Sequence, residues 1–286
     1  MLPAALLAAS LSFAAPDADI AFSTAKELVV KYTPRNAGTF RGRFAAGFIL
    51  RELSSRGVNA RMDRFSASTP NGEKHFHNVI AEWETVPDGE WVAILSHFDT
   101  KTGVECPGAN DGASTSGLLV ALAAMLERTK PSGLNIMLAW LDGEECMHSY
   151  SAADGFWGSR HAAAKLKASG RKVKAVICLD MLGDKDLGIS IPANSTPGLV
   201  SAALRAAAKA GAGGKVRKIP EYVKDDHLPF LQLGFPAIDL IDFEYGSAPG
   251  LNDYWHTKDD TIEHISADSL LVAGGIVTEL LKELQK

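Results

Sequence analysis

The feature that most constrains the fold is an alternation of short apolar segments with amphipathic segments along most of the chain. Two helical patterns, at 20–32 and 40–55, precede three strand candidates at 58–65, 76–83 and 91–97. From there, strand patterns at 134–141, 173–179 and 236–241 alternate with helical patterns at 114–128, 158–168, 197–210 and 267–285. Strands that alternate with helices of this length predict an α/β fold with a largely parallel sheet. The three early strands can pair antiparallel, so we expect a single-domain α/β fold with a mixed, largely parallel central sheet flanked by helices.

The size and charge of the chain limit its organisation and its partners. Its 286 residues are 46% hydrophobic, which is enough for one large core, and no internal repeat or long linker divides them. We therefore expect one catalytic domain over residues 16–286. The net charge is −5 and no basic patch stands out, so a nucleic-acid partner is not expected.

The first fifteen residues are apolar and uncharged, and they end in small residues before Pro16. This pattern is typical of a secretory signal peptide over residues 1–15, and it predicts a secreted or periplasmic protein. The alternative is an N-terminal helix that stays with the domain. No other apolar run approaches the ~18 residues of a membrane span, so no transmembrane helix is expected.

The three cysteines are too few for a disulfide framework. Cys178 lies in an apolar run and is predicted to be a buried thiol. Whether Cys106 and Cys146 pair is open from the sequence.

Polar residues cluster where the predicted strands end. His97 and Asp99 end one strand, Glu144 and Glu145 follow another, and Asp180 ends a third. In open α/β sheets, ligands bind just past the carboxyl ends of the strands. Neighbouring acids there repel each other unless a cation lies between them. Imidazoles and carboxylates without clustered cysteines favour zinc or a similar divalent metal.

Two further segments add candidate ligands, namely Asn110-Asp111-Gly112 in a turn before a helix and Trp255-His256-Thr257 late in the chain. The adjacent acids Glu144 and Glu145 can have different roles, because one can bind metal while the other transfers a proton.

Taken together, these segments resemble the co-catalytic zinc aminopeptidase family, and in particular its glutaminyl-peptide cyclotransferase (glutaminyl cyclase) branch. The resemblance runs from about residue 78 to residue 265, with the motifs in the family's order. It implies the zinc exopeptidase fold, with Asp111, Glu145 and His256 as zinc ligands and Glu144 as the proton-transfer residue. In the two-metal aminopeptidases, residues at the positions of His97 and Asp180 bind a second zinc, and the residue at the position of Asp99 would orient His97.

Several segments resemble the cyclase branch more closely. Trp255 directly precedes His256, and residues 224–230, Lys-Asp-Asp-His-Leu-Pro-Phe, are similar to a cyclase segment with paired aspartates. The resemblance implies that zinc polarises the γ-carbonyl of an N-terminal glutamine and that Glu144 carries a proton from the attacking amine to the leaving ammonia. Asp180 and Asp225 would hold the hydrogen-bond network, and Trp255 would wall the pocket.

Three positions depart from the pattern of the animal cyclases. Tyr150 stands where a pocket tryptophan is usual, Lys224 replaces a glutamine and Asp239 replaces a histidine. These departures concern substrate fit more than metal binding.

The alternatives differ in metal count and in chemistry. A cyclase needs one zinc, whereas an aminopeptidase would use two to activate a water molecule, with Glu144 as its base. A zinc-containing peptide-binding module without catalysis would not need Glu144. In each case the expected partner is the N terminus of a peptide or protein. The chain has no Gly-x-Ser-x-Gly sequence, which argues against an α/β serine hydrolase.

Overall fold

A computed structural model describes residues 13–130 and 132–285 of the chain. The strands are β1 (Ala60–Thr69), β2 (Gly72–Trp83), β3 (Trp91–His97), β4 (Asn135–Leu141), β5 (Val173–Asp180), β6 (Ile189–Ile191), β7 (Val216–Lys218) and β8 (Ala237–Ile241). The helices are α1 (Ala18–Tyr32), α2 (Phe40–Ser55), α3 (Thr115–Thr129), α4 (Trp157–Ala168), α5 (Pro197–Lys209), α6 (His227–Gln232) and α7 (Ala267–Leu284).

All eight strands form one sheet in the order β1-β2-β4-β3-β5-β8-β6-β7. The central strands β4, β3, β5 and β8 are parallel, whereas β1 and β2 pair antiparallel with each other and β2 pairs antiparallel with β4. The order reverses at β3, which has β4 on one side and β5 on the other. A crevice therefore opens at the carboxyl ends of these three strands. The mixed, largely parallel α/β sheet predicted from the sequence is confirmed.

Strand β3 shows how helices cover both faces of the sheet. Val92 and Ile94 belong to the larger core, which includes residues of α1, α2, α3, α5 and α7. Ala93 and Leu95 belong to a smaller core that includes residues of α4 and α6. Side chains alternate between the two faces of a strand, so a strand buried on both faces must be apolar throughout, as β3 is until its last two residues, Ser96 and His97.

Three elements were absent from the sequence prediction, namely β6, β7 and α6. The two strands have three residues each and the helix has six, so none of them repeats a pattern often enough to be recognised. The first hairpin is also longer than predicted, because β1 and β2 pair in register as far as Thr69 and Gly72 across the turn at residues 70–71.

The predicted signal peptide lies outside the described residues for its first twelve positions. Within 13–130 and 132–285, every helix is too short or too polar to cross a membrane.

Candidate metal centre and active site

The turn that carries Asp111 lies between β3 and α3 and is built by close backbone packing. A Cβ atom on Gly112 would lie 2.6 Å from Cε1 of His97, so only glycine fits beside the imidazole. The backbone N–H groups of Asn110 and Asp111 donate to the carboxylate of Asp260, at 2.7 and 3.2 Å. These contacts fix the carboxylate of Asp111 at the carboxyl end of β3.

Three of the predicted ligands come together at this end of the sheet. Nε2 of His256 lies 2.8 Å from Oε1 of Glu145 and 3.2 Å from Oδ2 of Asp111. The candidate ligand atoms of the three residues lie within 4.8 Å of one another, and both carboxylates are buried. His256 has a φ of 58°, a strained conformation for a residue other than glycine, and such strain is frequent at functional sites. One imidazole and two carboxylates are ligands that zinc accepts, so these residues fit a zinc ion.

His97 and Asp180 lie directly beside this group. Nε2 of His97 is 3.1 Å from Oδ1 of Asp111 and 3.2 Å from Oδ1 of Asp180, and these three residues form a second cluster of potential ligands. Nδ1 of His97 faces Asp99 at 3.5 Å. The residues of the expected second site are therefore together, with Asp111 shared between the two clusters.

Asp99 also fixes the paired glutamates, which the sequence did not indicate. Its two carboxylate oxygens accept hydrogen bonds from the backbone N–H groups of Glu144 and Glu145, at 3.1 and 3.2 Å. Asp99 is fully buried. A single carboxylate thus faces His97 and holds the loop after β4 in place.

The two glutamates have different surroundings. Glu145 faces His256, and its other oxygen lies 3.4 Å from Nζ of Lys101. Glu144 instead accepts a hydrogen bond from the hydroxyl of Tyr150 at 3.1 Å, and the same hydroxyl lies 3.1 Å from Glu145. The contact with Lys101 was not predicted, and its only signal in the sequence was a lysine close to His97.

Burial of so many acids perturbs their protonation. Burial raises the pKa of Glu144 well above its usual value, and the neighbouring charge of Glu145 raises it further. Burial likewise raises the pKa of Asp180 to about 7. Burial opposes the charge on His256, but its hydrogen bonds to Asp111 and Glu145 raise its pKa to about 9. A divalent cation between these acids would supply the missing positive charge and lower their pKa values.

A second buried acidic group lies behind Asp180. The thiol of Cys178 donates to Oδ2 of Asp225 at 3.4 Å, and Asp239 lies within 4.8 Å of both. After burial, the charge of Asp225 also raises the pKa of Asp180. Burial raises the pKa of Asp239 well above the ordinary carboxyl value.

Arg35 is a supporting residue that the sequence did not reveal. Its guanidinium group is fully buried and donates to the backbone carbonyls of Phe98, Pro107 and Gly108, which bracket the loop between β3 and Asp111. These partners are backbone atoms, so no residue type in that loop could have marked the contact.

The three cysteines are free and buried in the structure, as predicted for Cys178. Cys146 contacts Nζ of Lys101 and Cys106 faces Asp260, so Cys106 and Cys146 do not pair.

A cavity of about 760 Å³ opens over the candidate metal ligands. Tyr150 and Trp255, both predicted to line the pocket, form part of its wall, and Trp255 stacks on the ring of His256 with centroids 3.9 Å apart. The volume falls in the range of small-molecule sites.

Comparison with known proteins identifies the family. The sequence profile described as peptidase family M28 matches residues 78–281. A glutaminyl-peptide cyclotransferase of Drosophila melanogaster is 29% identical over 83% of this chain and 74% of its own length. Among solved structures, the glutaminyl cyclase of an Acidobacteriales bacterium is 35% identical, with a TM-score of 0.89 over 100% of this chain and 98% of that chain. The glutaminyl cyclase of Porphyromonas gingivalis is 30% identical, with a TM-score of 0.83 over 94% and 98%. The chain therefore belongs to peptidase family M28.

Proposed function

We propose that the protein is a zinc-dependent glutaminyl-peptide cyclotransferase, which converts the N-terminal glutamine of peptides to pyroglutamate and releases ammonia. The observation that carries the proposal is the arrangement of Glu144. It is buried at the wall of the cavity beside the ligand group Asp111, Glu145 and His256, and it bonds to Tyr150, whereas Glu145 faces His256. The presence of glutaminyl cyclases among the similar proteins supports cyclisation over hydrolysis as the reaction of this protein.

Asp111, Glu145 and His256 would hold the zinc ion. Zinc bound there would supply Lewis-acid polarisation of the substrate's γ-carbonyl group. The cavity above the ligands would receive the glutamine side chain, with Trp255 as one wall.

Glu144 would move the proton in this reaction. It would take a proton from the attacking α-amine and deliver it to the departing ammonia, so that no water is consumed. A raised pKa suits a carboxyl group that must both accept and donate a proton. The hydroxyl of Tyr150 would keep Glu144 oriented, and Asp180 and Asp225 would support the geometry from behind.

His97 lies at the position where a two-metal peptidase would have its second cation. Its Nε2 is 3.1 Å from Oδ1 of Asp111 and 3.2 Å from Oδ1 of Asp180. We propose that a single zinc ion bound by Asp111, Glu145 and His256 leaves His97 hydrogen-bonded between these two carboxylates.

The competing function is a co-catalytic zinc aminopeptidase, because the ligands for two metals are together in the structure. Two assays on the zinc-loaded protein distinguish the two. The first measures ammonia release from an N-terminal glutaminyl peptide without cleavage of the chain, and the second measures amine release from leucyl and alanyl amides. We expect activity in the first assay only. Hydrolysis of the amides without cyclisation would refute the proposal, and two zinc ions per chain at neutral pH and low zinc concentration would argue for the peptidase.

We also propose that the protein is exported and that residues 1–15 are its signal peptide. Mass spectrometry of the chain recovered from outside the cytoplasm tests this, since an uncleaved N terminus would contradict it.

A further inference from the structure

A second cavity, of about 370 Å³, adjoins the one over the metal ligands. Tyr150 and Lys224 line both cavities, so the two meet along these side chains. Phe156, Pro229 and Arg160 contribute to the rest of the second lining. Tyr150, whose hydroxyl contacts Glu144, therefore borders both cavities.

The charge of the two cavities is opposite. The main cavity contains the buried acids of the metal site, whereas the described lining of the second cavity includes two cations and no carboxylate. Arg160 donates to the backbone carbonyls of Ser151 and Ala152, which hold its guanidinium group in place. Lys224 is exposed, and within the described part of the chain its ammonium group has no ion-pair partner. A positive, apolar-lined recess of this kind suits an acidic side chain.

The length of a peptide permits this contact. If the N-terminal glutamine lies over the metal ligands, the residues that follow extend by about 3.3–3.6 Å each. Because the two cavities share Tyr150 and Lys224, a peptide that continues from the main cavity past these side chains would place its second or third residue at the neighbouring cavity.

We propose that this second cavity is a subsite for an acidic residue at position two or three of the peptide substrate, recognised by Lys224 and Arg160. The proposal rests on the proposed cyclase function and specifies its substrate class. It runs against the overall charge of the protein, because a net charge of −5 by itself would attract basic peptides. A preference for acidic peptides would therefore have to come from local contacts.

The test is a set of matched peptides that begin with glutamine and carry glutamate, alanine or lysine at positions two and three. Two ion pairs near the protein surface predict a kcat/KM about tenfold higher for the glutamate peptide than for the lysine peptide. We expect the ratio to fall as the salt concentration rises, because Lys224 is exposed and Arg160 is only half-buried.

Variants assign the effect to the subsite. Lys224→Gln should reduce the ratio to about threefold, and Lys224→Glu should abolish or reverse it. The matched control is Lys215→Gln, which removes an exposed lysine outside both cavities and should leave the ratio unchanged. Melting temperatures of the three variants verify that each one folds.

The outcomes separate the two proposals. If all peptides are cyclised with equal kcat/KM, or if the Lys224 variants keep the wild-type ratio, the subsite is refuted and the cyclase function stands. If even the alanine peptide is not cyclised by the zinc-loaded protein, the cyclase function is refuted and the subsite with it.

Discussion

Asp260 offers the sharpest test of how the metal site is built, because it bonds to the turn of Asp111 and not to the expected metal position. Its Oδ1 accepts from the backbone N–H of Asn110 and from the hydroxyl of Tyr245, at 2.7 and 2.9 Å, and its Oδ2 accepts from the N–H of Asp111 at 3.2 Å. Asp260→Asn keeps the size and shape of the side chain. The asparagine has one oxygen, so it can satisfy either the Oδ1 partners or the N–H of Asp111.

The expected magnitude follows from these three bonds. With its oxygen toward Asn110 and Tyr245, the asparagine would point an N–H₂ group at the N–H of Asp111. Losing a hydrogen bond to a charged acceptor costs ~1.5–3 kcal/mol. Removing the charge of Asp260 also relieves its repulsion of Asp111, which offsets part of that cost. We therefore expect a net loss of metal-free stability below ~2 kcal/mol. The lost hydrogen bond and the lost negative charge both weaken metal binding, however. Supporting residues of this kind typically contribute 10–100-fold in metal affinity.

The assay is a competition titration of zinc against a chelator at pH 8, together with urea unfolding of the metal-free protein. Asp259→Asn is the matched control, because Asp259 is adjacent but exposed, and it should change neither quantity. This role of Asp260 is refuted if Asp260→Asn binds zinc as tightly as the wild type. It is also refuted if the loss of affinity only parallels an equal loss of stability, since the substitution would then act on the fold as a whole.

Three other substitutions test separate parts of the argument. Glu144→Gln should retain zinc, because Glu144 is outside the ligand group, but lower kcat by about 10²–10⁴-fold, as checked by metal analysis and ammonia release. Tyr150→Phe removes the hydroxyl that contacts Glu144. Because a hydrogen bond contributes about 0.5–1.5 kcal/mol, we expect a two- to tenfold lower kcat with unchanged zinc content. Burial raises the pKa of Asp242 to about 7, so in the folded protein this carboxyl keeps its proton up to that pH, whereas in the unfolded chain it loses its proton near pH 4. The contribution of Asp242 to the free energy of unfolding is thus fully present below pH 4. It decreases as the pH rises from 4 to 7, by up to about 4 kcal/mol in total. Asp242→Asn should flatten this part of the stability profile in urea unfolding.

The residues of the candidate site were identifiable from sequence because of where β3, β4 and β5 end. Each is an apolar segment followed at once by acids or a histidine, and parallel strands bring their carboxyl ends to one edge. His97, Glu145 and Asp180 therefore had to lie near one another once the sheet was assigned. His256 lies on no regular element, and only its resemblance to a family motif indicated its place.

The supporting residues were not identifiable in this way. Arg35 lies before α2, far from the strand ends in sequence, and its guanidinium group bonds to backbone carbonyls of the loop before Asp111. Asp260 follows an equally acidic neighbour, and nothing in the pattern shows which of the pair points inward. Such contacts depend on how loops fold over the sheet, and hydrophobic periodicity carries no information about loop geometry.

Cyclase and peptidase differ least in the ligand residues and most in how the surrounding charge is balanced. A two-metal site needs Asp111 shared between cations, with His97 neutral on one of them. In the structure His97 lies between Asp111 and Asp180, where its pKa is raised and a proton on the imidazole balances both carboxylates. A second zinc would have to displace that proton from the buried Nε2, which faces both carboxylates. The proton and the second metal therefore compete for the same place, so the number of zinc ions bound should depend on pH and on zinc concentration. Only at high pH or high zinc should the second site fill, and activity that is complete with one zinc per chain would identify His97 as a positioning residue.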